Sequence, residues 1–135
     1  MLEVYSEGVS VNEGSYVPFN SVSLSKGCSA VLGSASSIQL NKCGVYMVAC
    51  SGSASISGAT GNVGIQMFKN GVAQPQAQSS STGEEGDTVS LGFTTLVQVK
   101  ENNTCCCCSS PTILEFQNTG ADAAFDVNVC VTKVC

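Results

Sequence analysis

From Ser37 to Gly71 the chain reads S-I-Q-L-N-K-C-G-V-Y-M-V-A-C-S-G-S-A-S-I-S-G-A-T-G-N-V-G-I-Q-M-F-K-N-G. Ile38 and Leu40 alternate with polar neighbours, as the inward positions of a short strand do. Lys42-Cys43-Gly44 reads as a turn, and Val45 to Cys50 as a longer apolar strand. A Gly/Ser/Thr break follows. Val63, Ile65 and Met67 then share one face of another strand, with Gln66 on the other. Asn70-Gly71 closes the stretch as a hairpin turn, since both residues tolerate positive φ. This is the centre of a β-meander.

The flanks continue the pattern. Leu2 to Val11 alternates loosely and reads as a first strand; residues 1–15 form an edge strand or a flexible lead-in. Tyr16-Val17-Pro18-Phe19 is a short extended segment, placed at an edge or a bulge because Pro18 has no ladder donor. Ala30 to Leu32 is a weak strand. The segment after Gly71 is polar and holds Pro75, which predicts an irregular edge strand and loop. Thr82 to Asp87 is an acidic loop. In Thr88 to Lys100, Val89, Leu91 and Phe93 share one parity, and Leu96, Val97 and Val99 follow out of step, which predicts a bulge at Thr94-Thr95. Leu114 and Phe116 point inward on the next strand. Phe125, Val127, Val129 and Val131 alternate cleanly in a closing strand. No window shows a capped helical period. Short strands with turns at intervals of roughly ten residues predict an all-β sandwich or barrel in one domain, 1–135.

Composition narrows the function. Only 11% of the 135 residues are charged, well under the roughly 25% of an ordinary domain. Such a surface stays in solution through hydroxyls and amides or is covered by other subunits. The formal net charge is −5, with five lysines and no arginine, which argues against nucleic acid as a partner. No apolar run is long enough to cross a bilayer, so membrane insertion is not expected. The start, Met1-Leu2-Glu3-Val4-Tyr5, lacks the features of a signal peptide. Export by a cleaved peptide is not expected; with release by cell lysis, as for a virus particle, the expected location is the cytoplasm before release and a virion or extracellular surface afterwards.

No histidine is present, so the commonest general base is missing, and no enzymatic activity and no cofactor are expected. The nine cysteines are Cys28, Cys43, Cys50, Cys105, Cys106, Cys107, Cys108, Cys130 and Cys135. Three readings stay open. They form disulfides within or between chains; they are small buried residues; or Cys105–Cys108 supply a thiolate metal site, although consecutive cysteines splay apart where zinc prefers Cys-x-x-Cys. The odd number leaves one thiol free or bonded between chains. Glu84, Glu85 and Asp87 are read as a solvated turn rather than a calcium loop, and Asn102-Asn103-Thr104 matches a glycosylation sequon.

Taken together, V-P-F-N (17–20), S-I-Q-L-N-K-C-G-V-Y-M-V (37–48), I-Q-M-F-K-N-G (65–71) and the closing strand resemble the complement globular-head and tumour-necrosis-factor-like jelly roll. More narrowly they are similar to its bacterial and phage branch: C-terminal domains of spore-surface collagen-like glycoproteins, and prophage tail proteins. The resemblance implies about ten antiparallel strands and a homotrimer. Tyr46, Val48, Phe93 and Phe116 would then lie in the core or near the threefold axis. It also implies a structural or adhesion module that presents loops to a surface protein or glycan. The loops near Gly52–Asn62, Gln74–Asp87 and Ala121–Ala124 are the candidates. The alternative is a stand-alone secreted, ligand-like or lectin-like binding protein.

Overall fold

The computed structural model describes residues 1–57, 61–100 and 112–134. Ten strands are seen among them: β1 (Leu2–Val11), β2 (Ser21–Ser25), β3 (Ala30–Ser34), β4 (Ser37–Leu40), β5 (Gly44–Ile56), β6 (Gly61–Lys69), β7 (Val72–Gly83), β8 (Thr88–Val99), β9 (Thr112–Asn118) and β10 (Ala123–Lys133). They form two five-stranded sheets, ordered β2-β1-β10-β5-β8 and β3-β4-β9-β6-β7. The described pairings are antiparallel. This is the jelly-roll sandwich of the sequence reading.

Alternation builds the core. Leu2 and Val4 of β1, Tyr46 and Val48 of β5, Ile65 and Met67 of β6, Leu114 and Phe116 of β9, and Phe125 to Val131 at every second residue of β10 all turn inward and are buried. Phe116 sits at the centre. Phe19 meets it edge-on with ring centroids 5.8 Å apart, and Phe93 stacks at 6.2 Å. Tyr46, Val48 and Phe116 are thus in the core, and Phe93 is partly buried against it. The Asn70-Gly71 turn has φ of 51° and 81°, the paired positive values of a type I′ hairpin. Asn70 also fastens this hairpin to β9. Its N–H donates to the Ile113 carbonyl and its Oδ1 accepts from the Ile113 N–H, both at 2.8 Å.

Several expectations need correction. β1 lies inside its sheet, paired with β2 on one side and β10 on the other; β2, too short and polar to be prominent in sequence, takes the edge. Tyr16 to Phe19 makes only one bridge, Tyr16 to Gln117, although Val17 and Phe19 are buried. β8 carries no bulge: its register against β5 runs unbroken from Gly44↔Val99 to Ser55↔Thr88. Thr95 is the inward residue and is buried, while Leu96 faces out at 61% exposure. β5 runs past Cys50 to Ile56, and β7 is a full edge strand despite Pro75. The Gly52–Asn62 and Gln74–Asp87 candidates are therefore strand over much of their length.

β7 and β8 bring the two sheets together along one side. Ser81 Oγ donates to the Ser90 carbonyl at 3.2 Å, and the Gly92 N–H donates to Ser79 Oγ at 3.1 Å. Side-chain hydroxyls span this seam in place of a backbone ladder.

Candidate functional site

Strand direction sorts the connections into two ends. At one end lie the β1–β2, β3–β4, β5–β6, β7–β8 and β9–β10 connections. The described residues of the three candidate loops meet here; 58–60 of the first candidate lie outside the described residues. The Ile56 N–H donates to the Asp87 carbonyl at 2.9 Å, and the Gly86 N–H donates to the Ile56 carbonyl at 2.8 Å. The Ser57 N–H donates to the Asp122 carbonyl at 3.0 Å, and Asp122 Oδ1 accepts from the Glu13 N–H at 2.8 Å. Asp87 Oδ2 caps its own loop through the Glu84 N–H at 2.9 Å. Four connections are thus tied into one platform, whose carboxylates Glu13, Glu84, Glu85, Asp87 and Asp122 are exposed.

Under this platform sits an asparagine at the end of β9. Asn118 is fully buried. Its Nδ2 donates to the Val11 and Ala121 carbonyls, each at 3.0 Å, and its Oδ1 accepts from the Gly120 N–H at 3.0 Å. One amide satisfies three buried backbone groups and joins the end of β1 to the β9–β10 turn. Its inward parity after Leu114 and Phe116 was the signal available.

A second surface is the outer face of the β2-β1-β10-β5-β8 sheet. Met47 of β5 and Leu96 of β8 are cross-strand neighbours, exposed by 39% and 61%. The outward residues of these two strands are Val45, Met47, Ala49, Ser51, Ser53 and Ser55 on β5, with Thr88, Ser90, Gly92, Thr94, Leu96 and Gln98 on β8. None is ionisable. Beside them an open depression of about 470 Å³ is lined by Tyr5, Glu7, Ser51, Gly52, Asp126 and Asn128. It forms where β1 bulges between Ser6 and Val9, and Asp126 Oδ1 accepts from the Gly8 N–H at 2.6 Å.

The cysteines fall in different settings. Cys28 is exposed in the β2–β3 turn, Cys43 is half-buried in the β4–β5 turn, Cys130 is half-buried on β10, and Cys50 is buried on β5. Burial pushes the Cys50 thiol up to about 12. All four are free thiols, and among the described residues no group of three or more His, Cys, Asp or Glu side chains could hold a metal ion. Cys105, Cys106, Cys107, Cys108 and Cys135 lie outside the described residues, as does the Asn102 sequon. Among the described residues no helix is long and apolar enough to cross a membrane.

No protein-family model matches the sequence, and neither does any curated protein. Solved structures do match in fold. The globular domain of zebrafish complement 1qA superposes with a TM-score of 0.74 at 10% identity, over 99% of this chain and 96% of that one. Eiger TNF from S. frugiperda gives 0.73 at 12%, over 99% and 91%. The vertex protein P5 of PRD1 gives 0.60 at 18%, over 99% and 96%. These likenesses, spanning almost the whole chain, show that its fold is the jelly roll of the complement globular head and the tumour-necrosis-factor ligands.

Proposed function

We propose that this chain is a non-enzymatic binding or structural module that assembles as a homotrimer through the outer face of the β2-β1-β10-β5-β8 sheet. It would present its loop platform to a surface protein or glycan. The observation that carries the reading is the Met47–Leu96 pair on a face where β5 and β8 offer no ionisable side chain. An exposed apolar pair among neutral residues is what the core of a subunit interface requires. The jelly-roll resemblance implies the threefold symmetry, and closed cyclic assembly is a common solution for such subunits. The setting in this proposal is a virion appendage or bacterial surface; the phage-branch resemblance is its support, and the vertex protein P5 of PRD1 is a virion protein of the same fold.

The test is solution mass by light scattering, with and without reductant. Three times the chain mass of 13.8 kDa is expected in both conditions. The double variant Met47→Glu, Leu96→Glu is expected to run as a folded monomer, because it places two charges at the centre of the contact. A monomeric parent protein, or a double variant that remains trimeric, overturns the assignment of this face.

A further inference from the structure

The five lysines are scattered in sequence, yet the fold collects them all at the end opposite the loop platform. Lys26 follows β2, and its N–H donates to the Met1 carbonyl at 2.8 Å. Lys42 lies in the β4–β5 turn. Lys69 closes β6, and its Nζ donates to the Gln98 carbonyl at 2.8 Å. Lys100 follows Val99, the residue paired with Gly44. Lys133 is the last residue of β10 and pairs with Tyr46. Lys26, Lys42, Lys100 and Lys133 are exposed. Among the described residues none of the five ammonium groups meets a carboxylate. Glu3, near the start of β1, and Glu115, whose β6 partner Phe68 adjoins Lys69, offset two of the five charges, and Glu101 follows Lys100 in sequence.

The opposite end carries no lysine. It holds Glu13, Glu84, Glu85, Asp87 and Asp122, with Glu7 and Asp126 on the strands leading to it. β5 alone has 13 residues between the two ends, roughly 40 Å at about 3.3 Å per residue. That is several times the Debye length of about 8 Å at physiological ionic strength, so the ends do not neutralise each other. Each remains free to attract an opposite charge from outside.

We propose that the lysine end docks on the acidic loop platform of a second copy, stacking the module head to tail along the sandwich axis. The complementary surface is present on the same chain. The neutral sides of β5 and β8 offer no competing charge. A head-to-tail contact uses two different patches, so it leaves one free at each end and continues into a linear stack. Side-by-side trimers would multiply this contact threefold, but single chains carry the same two patches, so the stack does not depend on the threefold reading.

The test is sedimentation of the full chain in reductant, across a concentration series. In about 20 mM salt the mass is expected to grow with concentration by about twofold or more, and to return to the base unit in about 0.3 M salt. Two variants separate the ends: Lys26→Gln, Lys42→Gln, Lys100→Gln, Lys133→Gln, and Glu13→Gln, Glu84→Gln, Glu85→Gln. Each alone is expected to stay at the base unit, while their mixture forms pairs that grow no further, because each brings one intact end. Growth that survives salt or either variant overturns the proposal, as does a parent protein that never grows or a mixture that fails to pair. Met47→Glu, Leu96→Glu changes the base unit and leaves the growth intact, so the two readings fail independently.

Discussion

At the scale of the residue, the buried positions divide into those that a pattern announces and those it hides. Cys50 is announced: it shares the inward parity of Tyr46 and Val48. Its thiol, pushed to about 12 by burial from an ordinary value of about 8.5, stays protonated at neutral pH. The sign follows directly. A folded pKa above the unfolded one stabilises the fold fully below the unfolded value, and that contribution is lost as pH rises from about 8.5 towards 12. Iodoacetamide at pH 8 is therefore expected to label Cys28 in the folded protein and Cys50 only after unfolding, as read by mass spectrometry of digests. Asn118 is hidden, because an asparagine before Thr-Gly reads as a turn. Asn118→Ala would strand the Val11 and Ala121 carbonyls and the Gly120 N–H out of water. It is expected to cost about 3 kcal/mol, seen as a Tm lower by roughly 10 °C.

At the scale of the element, strands were legible where one face was apolar and one polar. β6, β9 and β10 follow their pattern residue by residue. β8 shows the limit: Leu96 is more apolar than Thr95, so the pattern inserts a bulge that the unbroken register against β5 does not contain. An outward leucine imitates an inward one when the pattern is read by hydropathy alone. β7 was obscured for the opposite reason. Only Ala77 is buried along it, and its strand form comes from pairing with β6, a partner that local sequence does not display. The β6–β7 hairpin was readable because Asn-Gly names its own turn. Gly71 holds φ of 81°, where a Cβ is strained, so Gly71→Ala is expected to cost about 1 kcal/mol. Urea unfolding should show a lower midpoint with an unchanged slope.

At the scale of the whole molecule, the sequence contained the sandwich and its resemblance but not the arrangement of its ends. Ile56 and Ser57, the 84–87 turn and the 119–122 turn are far apart in the chain and meet only because β5, β7 and β9 all run towards one end. The lysines gather for the same reason, each lying at or just beyond a strand terminus at the other end. Net charge, the quantity that composition reports, conceals this separation. The proposed trimer and the proposed head-to-tail stack are expected to respond differently to salt. A β5–β8 contact without ionisable groups is expected to hold its mass in 1 M salt, while contacts between the charged ends dissolve.

The hydroxyl-bridged seam between β7 and β8 bears on how such a weakly charged protein avoids aggregation. Outer strands of open sheets are templates on which another chain can add itself, and charged side chains are a usual deterrent. β7 has none between Val72 and Gly83. It lies instead against β8, tied by Ser79 and Ser81, so each terminal strand shields the other from recruitment. Crowding many copies on a surface or a particle would then not seed amyloid-like growth from this side, and the serines of β7 act as gatekeepers where other proteins place lysine.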